Sequence, residues 1–183
     1  MRESKNIIAY HGSLSETPPH LLRPTTSYAN YIAGVDPTGM GFHAGTINAA
    51  LERVGSHQVD RESNDYFDDE EPETKAYMHA YEIPKKHLSL LTYEDPHEQG
   101  YSDLNDTPDG YMEAMQVKET RQDKVNKYRN RWEDPGSTSY VIPHHLMRTG
   151  SVKHLSTQQF NVRTDDIYVD RDSLTQNAKA KKK

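Results

Sequence analysis

Ten histidines and no cysteine define the side-chain chemistry open to this chain of 183 residues. Without a thiol there is no disulfide, no thiolate zinc site and no cysteine nucleophile. Imidazoles and carboxylates remain to move protons and to stabilise charge. The histidines do not follow a zinc enzyme's spacing, since HExxH is absent and no close set of His, Asp and Glu has convincing ligand intervals. His144 and His145 are adjacent, so on a strand their rings would point to opposite faces and could not share an ion. No metal site is expected. Ser13 lacks the nucleophile-elbow context of a hydrolytic serine. There is no GxxxxGK[ST] loop and no GxGxxG fingerprint, and Gly39-Met40-Gly41 is too short for that signal.

Two stretches draw the remaining chemistry together: Ile7-Ile8-Ala9-Tyr10-His11-Gly12-Ser13 and Gly39-Met40-Gly41-Phe42-His43-Ala44-Gly45-Thr46. His11 sits where an apolar strand ends. A ring there either faces a cleft, with its backbone held by the sheet, or bonds a neighbouring carbonyl. Gly12 lacks a Cβ where the chain turns or a ligand approaches. A cleft between two small sheets would use such residues to grip a dinucleotide. His11 would bond a ribose hydroxyl, the backbone beside Gly12 would meet a carboxamide, and Tyr28, Tyr31 or Phe42 would stack on a base. Breaking a glycosidic bond also needs a carboxylate to stabilise the positive charge that develops. Glu133 is the candidate, just ahead of a strand; a solvated turn residue is its other reading.

The elements that must position these groups follow from pattern. Residues 7–10 favour a partly buried strand. Pro18, Pro19, Pro24 and Pro37 then exclude a long helix over residues 14–37. Thr46 is placed to cap a helix carrying Ile47, Ala49, Ala50, Leu51 and Val54, which Gly55 is expected to end. The acidic block from Asp60 to Glu73 reads as a surface loop. Ala76, Met78 and Ala80 alternate with Tyr77, His79, Tyr81 and Ile83, giving a strand with two unlike faces that Pro84 stops. A turn at Lys85 to Leu88 leads to a short strand at residues 88–91. Met112, Met115 and Val117 offer one buried side within a mixed stretch over residues 111–131. Residues 132–136 read as a turn, 139–142 as a strand stopped by Pro143, and 155–162 as an extension or cover of the sheet.

The hydrophobic share of 33% and mean hydropathy of -1.00 allow a real but thin core with much polar loop around it. One domain over residues 1–172 and a basic tail over 173–183 is the simplest division. No stretch is long and apolar enough to span a bilayer, and residues 1–6 do not resemble a signal peptide. The formal net charge of -6 argues against a general nucleic-acid coat. Contact of the lysine-rich tail with nucleic acid or an acidic partner is a weak electrostatic option beside a solvated terminus.

Tyr10-His11-Gly12-Ser13 resembles the opening "YHGT/YHGS" strand of ADP-ribosyltransferases of the diphtheria-toxin and poly-ADP-ribose polymerase type. The resemblance implies that His11 binds a ribose hydroxyl of NAD and that the Gly12 backbone meets the nicotinamide amide. Residues 39–46 followed by Ala49-Ala50 are similar to the family's second block, whose tyrosine stacks on nicotinamide. That tyrosine's place falls on Phe42 or His43, and Phe42 is the more natural stacker. Tyr128-Arg129-Asn130 through Pro143 is similar to a "YxNxxE…GxxSYIV" segment of phage and polyvalent-protein relatives. Aligned on the strand that carries the family's catalytic Glu, however, the acid's place falls at Ser139, which cannot supply a negative charge. Either Glu133 provides the carboxylate or activity is weakened or lost.

The resemblance thus implies an α+β fold, an ADP-ribosyltransferase-like split sheet with small peripheral helices and long polar loops. It implies NAD as cofactor, held by His11, Gly12, Phe42 and His43, with Arg23 on the pyrophosphate and Tyr28 and Tyr31 on the adenosine side. His11, Phe42, Glu133 and Ser139 are the positions tied to catalysis. A protein or nucleic-acid acceptor, such as a host protein, goes with a phage effector. Viral particle proteins are the partners if the fold is retained without catalysis. No membrane is expected. The location is host cytoplasm or virion for a phage protein, and cytoplasm otherwise. A ribonuclease is a weaker rival, because it needs a basic groove around His11 or His43.

Overall fold

The computed structural model describes residues 4–22, 41–62, 74–93, 123–130 and 134–162. They form an α+β fold of two small sheets and two α-helices. In chain order these are β1 (Asn6–Ser13), a 3-10 turn (Pro19–Leu21), β2 (Phe42–Ala44) and α1 (Ile47–Glu62). Next come β3 (Thr74–Pro84), a second 3-10 turn (Lys85–His87), β4 (Leu88–Tyr93) and β5 (Val125–Asn130). The chain then forms β6 (Ser137–Ile142), α2 (His144–Arg148) and β7 (Lys153–Val162).

One sheet has the order β1-β3-β7 and is antiparallel throughout; the other has the order β2-β6-β5-β4, with β4 and β5 parallel. The alternation along residues 76–83 has a direct cause. Ala76, Met78 and Ala80 face α1, where Tyr10, Ala50, Leu51 and Val54 pack against them. Tyr81 and Ile83 face the second sheet and join Ala9, Phe42, Ala44, Val125, Ile142, Leu146 and Val152 in the main core. β1 and β3 are therefore packed on both faces. This explains how a polar chain assembles a core: the apolar residues among those described are concentrated against these two strands.

Thr46 caps α1 as expected, its hydroxyl accepting from the Ala49 N–H at 3.1 Å. The helix does not stop at Gly55 but runs on to Glu62, into the stretch expected to be loop. An interior glycine costs a helix about 1 kcal/mol relative to alanine, too little to end one already packed along a sheet. His144 and His145 lie on α2 and not on a strand: Pro143 ends β6 in extended backbone, and its carbonyl accepts the Leu146 N–H at 3.0 Å as the helix begins. Thr46 also donates to the Asp134 carboxylate, and the Asp134 N–H donates to Glu52 at 2.6 Å. Asp134 adopts φ 55, so these bonds hold the β5–β6 turn against the start of α1 in a backbone form unusual for a side-chain-bearing residue. Thr46→Ala is expected to lower stability by about 1–2 kcal/mol through the lost cap and the lost carboxylate partner. A chemical-denaturation midpoint measures it.

Candidate functional site

The two sheets meet at a seam between β1 and β2. Tyr10 and Gly45 exchange both backbone hydrogen bonds, at 2.9 and 2.8 Å, as an isolated antiparallel bridge. A continued ladder would next pair Gly12 with His43. Instead, the His11 Nδ1–H donates to the His43 carbonyl. A carbonyl only accepts, so Nδ1 carries the proton, and Nε2 of the neutral ring is the accepting nitrogen. His11 thus closes the ladder with a side chain at the point where the sheets part. Since both polar groups of Tyr10 point toward Gly45, strand alternation turns those of Gly12 to the same side.

Gly12 has a further reason to be glycine. An added Cβ would run into the carbonyl oxygen of Ala50 and come within 2.8 Å of Val54 Cγ2. The missing side chain lets α1 lie directly on β1. The expectation of a turn or a ligand approach at Gly12 did not anticipate this helix contact.

Behind His11 lies a group of rings that the motifs did not single out. His11 and His79 face each other across β1 and β3 in register, with ring centroids 6.0 Å apart. His79 is fully buried and donates from Nε2 to the Ser15 carbonyl at 3.1 Å. Its Nδ1 accepts from the Thr157 hydroxyl at 2.9 Å, which in turn accepts from His154 Nε2 at 3.1 Å. His20 packs on Tyr81, Phe42 and His154 at 5.7, 6.4 and 5.3 Å, and its Nδ1 lies 3.1 Å from the Tyr81 hydroxyl. Burial, followed by His154 and His144, lowers His20 to about 4. Burial, followed by His11, lowers His79 to about 3, against the opposing effect of its bond to Ser15. Burial also lowers His144, with Arg148 adding to it, and raises Tyr81 well above the usual phenol value. His20, His79 and His144 are therefore neutral at neutral pH.

Phe42 lies inside this group. It is 0% exposed, with Tyr81 at 4.8 Å and His11 and His144 at 5.9 Å around its ring. It presents its ring to the core and has no open face for a ligand. His43 points to the opposite side of β2, where strand pairing gives it the same face as Val141, Ser139, Asn126, Tyr128 and Asn130. There its Nδ1 lies 2.8 Å from the Tyr128 hydroxyl, with the two rings edge to face. Of the two alternatives for the stacking position, His43 shares a face with Ser139 and Phe42 does not.

Ser139 is buried. Its hydroxyl accepts from Asn130 Nδ2 at 2.8 Å, and it lies so near Gly45 that an added Cβ would stand 2.6 Å away. The hydroxyl is built into the packing between β2, β5 and β6. Arg23, Tyr28, Tyr31 and Glu133 lie outside the described residues. Among the described residues, no group of three His, Asp or Glu side chains could hold a metal ion. No described helix is long and apolar enough to cross a membrane.

No family model, curated protein or solved structure matches this chain. The site therefore has to be judged on its own geometry. The structure brings His11, Gly12, Phe42 and His43 to one seam and places Ser139 across β2 from it. The sequence reading missed His20, His79, Tyr81 and His154. The available signal was the alternation that put His79 and Tyr81 on one face, but the register facing His79 with His11 joins residues 68 positions apart.

Proposed function

We propose that this chain is an ADP-ribosyltransferase-like protein that binds NAD at the β1–β2 seam and transfers ADP-ribose to a protein or nucleic-acid acceptor. The observation that carries this reading is His11: its Nδ1–H is committed to the His43 carbonyl, and Gly12 directs its backbone groups to the same side. A ring so oriented leaves Nε2 as the atom that the family reading assigns to a ribose hydroxyl, and a strand edge beside it suits a carboxamide. A split of the strands into two sheets joined at one bridge supports the same family reading. His43, held by Tyr128, takes the stacking role in place of Phe42. Glu133 takes the role of the acid that stabilises the ribosyl cation as nicotinamide leaves. A phage effector acting on a host protein in the host cytoplasm is the setting that goes with this reading.

A second reading has its own support. Ser139 stands in the acid's place and is sealed between Asn130 and Gly45, and His11 itself is 4% exposed. Both suit a noncatalytic virion or assembly protein that kept the fold. Calorimetric titration with NAD, coupled to mass analysis of released nicotinamide, separates the two. Transferase action gives binding with release, weakened at least tenfold by His11→Ala and with release abolished by Glu133→Gln. Binding without release in the presence of candidate acceptors identifies a degenerate site. No binding at millimolar NAD removes the enzyme reading.

A further inference from the structure

We propose that the histidine group behind the seam is an acid-operated clasp, which holds the exit of β1 and the His20 turn against β3 and β7 at neutral pH and releases them on proton uptake. The clasp is independent of NAD. Its geometry is a chain of imidazoles that bridges three strands and the His20 turn. His79 grips the Ser13–Ser15 exit through the Ser15 carbonyl and is itself held by Thr157 of β7. His20 grips β3 through the Tyr81 hydroxyl and stacks on His154. Ring centroids separate His11 from His79 by 6.0 Å, His79 from His154 by 6.1 Å and His154 from His20 by 5.3 Å. A proton on one ring thus raises the cost of a proton on the next.

The groups facing the clasp come from each element packed on it. β1 contributes His11, β3 contributes His79 and Tyr81, β7 contributes His154, and α2 contributes His144 and Arg148. Among the described residues, those that act on His20, His79 and His144 are other histidines, Arg148 and backbone carbonyls, with no carboxylate among them. Burial, followed by the neighbouring histidines, pushes His20 to about 4 and His79 to about 3, below the usual 6.5. The released rings, returned to water, regain protons near that usual value. The closed form is therefore favoured in full above pH 6.5, and its advantage is lost as pH falls from 6.5 toward 4 and 3. Uptake by more than one ring makes the change steeper than a single titration. Release would unseal the seam beside His11.

Amide hydrogen exchange, corrected for intrinsic rates, tests this on the full chain between pH 6.5 and 4.5. Protection of the Ser13 and Leu22 amides is expected to fall about tenfold or more per pH unit, while that of Val141 in β6 holds. His20→Asn combined with His79→Gln, which keep a hydrogen-bonding nitrogen without the titration, should flatten the dependence. If the double variant does not fold, the partly exposed His20→Asn alone should make it shallower. Three results would overturn the clasp: protection at Ser13 and Leu22 that is flat with pH, loss in step with Val141, or an unchanged slope in the variant that folds.

Discussion

Gly12→Ala is expected to destabilise the protein by about 3 kcal/mol or more, despite adding a single methyl group. Overpacking a core commonly costs about 1–3 kcal/mol, because side chains can shift to absorb the added volume. Here the obstructing atoms include the Ala50 backbone carbonyl, which cannot rotate away, together with Val54 Cγ2 at 2.8 Å. Relief requires α1 to lift off β1, which opens the layer formed by Tyr10, Ala50, Leu51, Met78 and Ala80. Denaturant unfolding followed by far-ultraviolet circular dichroism measures the loss. A change below about 1 kcal/mol would show that α1 does not rest on Gly12.

Phe42→Ala is the second large effect, with an expected loss of about 3–5 kcal/mol. Phe42 is fully buried among Tyr81, His11, His20 and His144, at the centre of the core that joins the two sheets. Deleting the ring removes its transfer free energy and leaves a cavity whose walls belong to separate sheets. Phe42→Leu keeps most of the apolar volume and should recover much of the loss. This pair also distinguishes two roles. A stacking residue in a binding site would lose ligand affinity with little change in unfolding midpoint, whereas a core residue loses midpoint first.

The local signals in the sequence were strong where one residue type has one physical meaning. Thr46 before an apolar helical stripe gave the cap, Pro84 and Pro143 gave strand ends, and the alternation over residues 76–83 gave β3 with its two faces. Gly55 misled because helix propensity is a small term beside packing along a sheet. Which of Phe42 and His43 enters the core was not legible, since it depends on which face of a three-residue strand meets the other sheet. The environment of Ser139 likewise rests on Asn130 and Gly45, brought together by strand pairing. His20, His79 and His154 are scattered in sequence, and only the register of β1, β3 and β7 makes them neighbours.

The order β1-β3-β7 also governs when this protein can fold. Its central strand, Thr74–Pro84, pairs on one side with Asn6–Ser13 and on the other with Lys153–Val162. During synthesis, β1 waits for β3, and β3 then keeps an unpaired edge until the segment ending at Val162 has left the ribosome. At about 5–20 residues per second, that interval lasts several seconds. A ribosome stalled before β7 would present β3 as an exposed strand template, a substrate for chaperones or for pairing with another nascent chain.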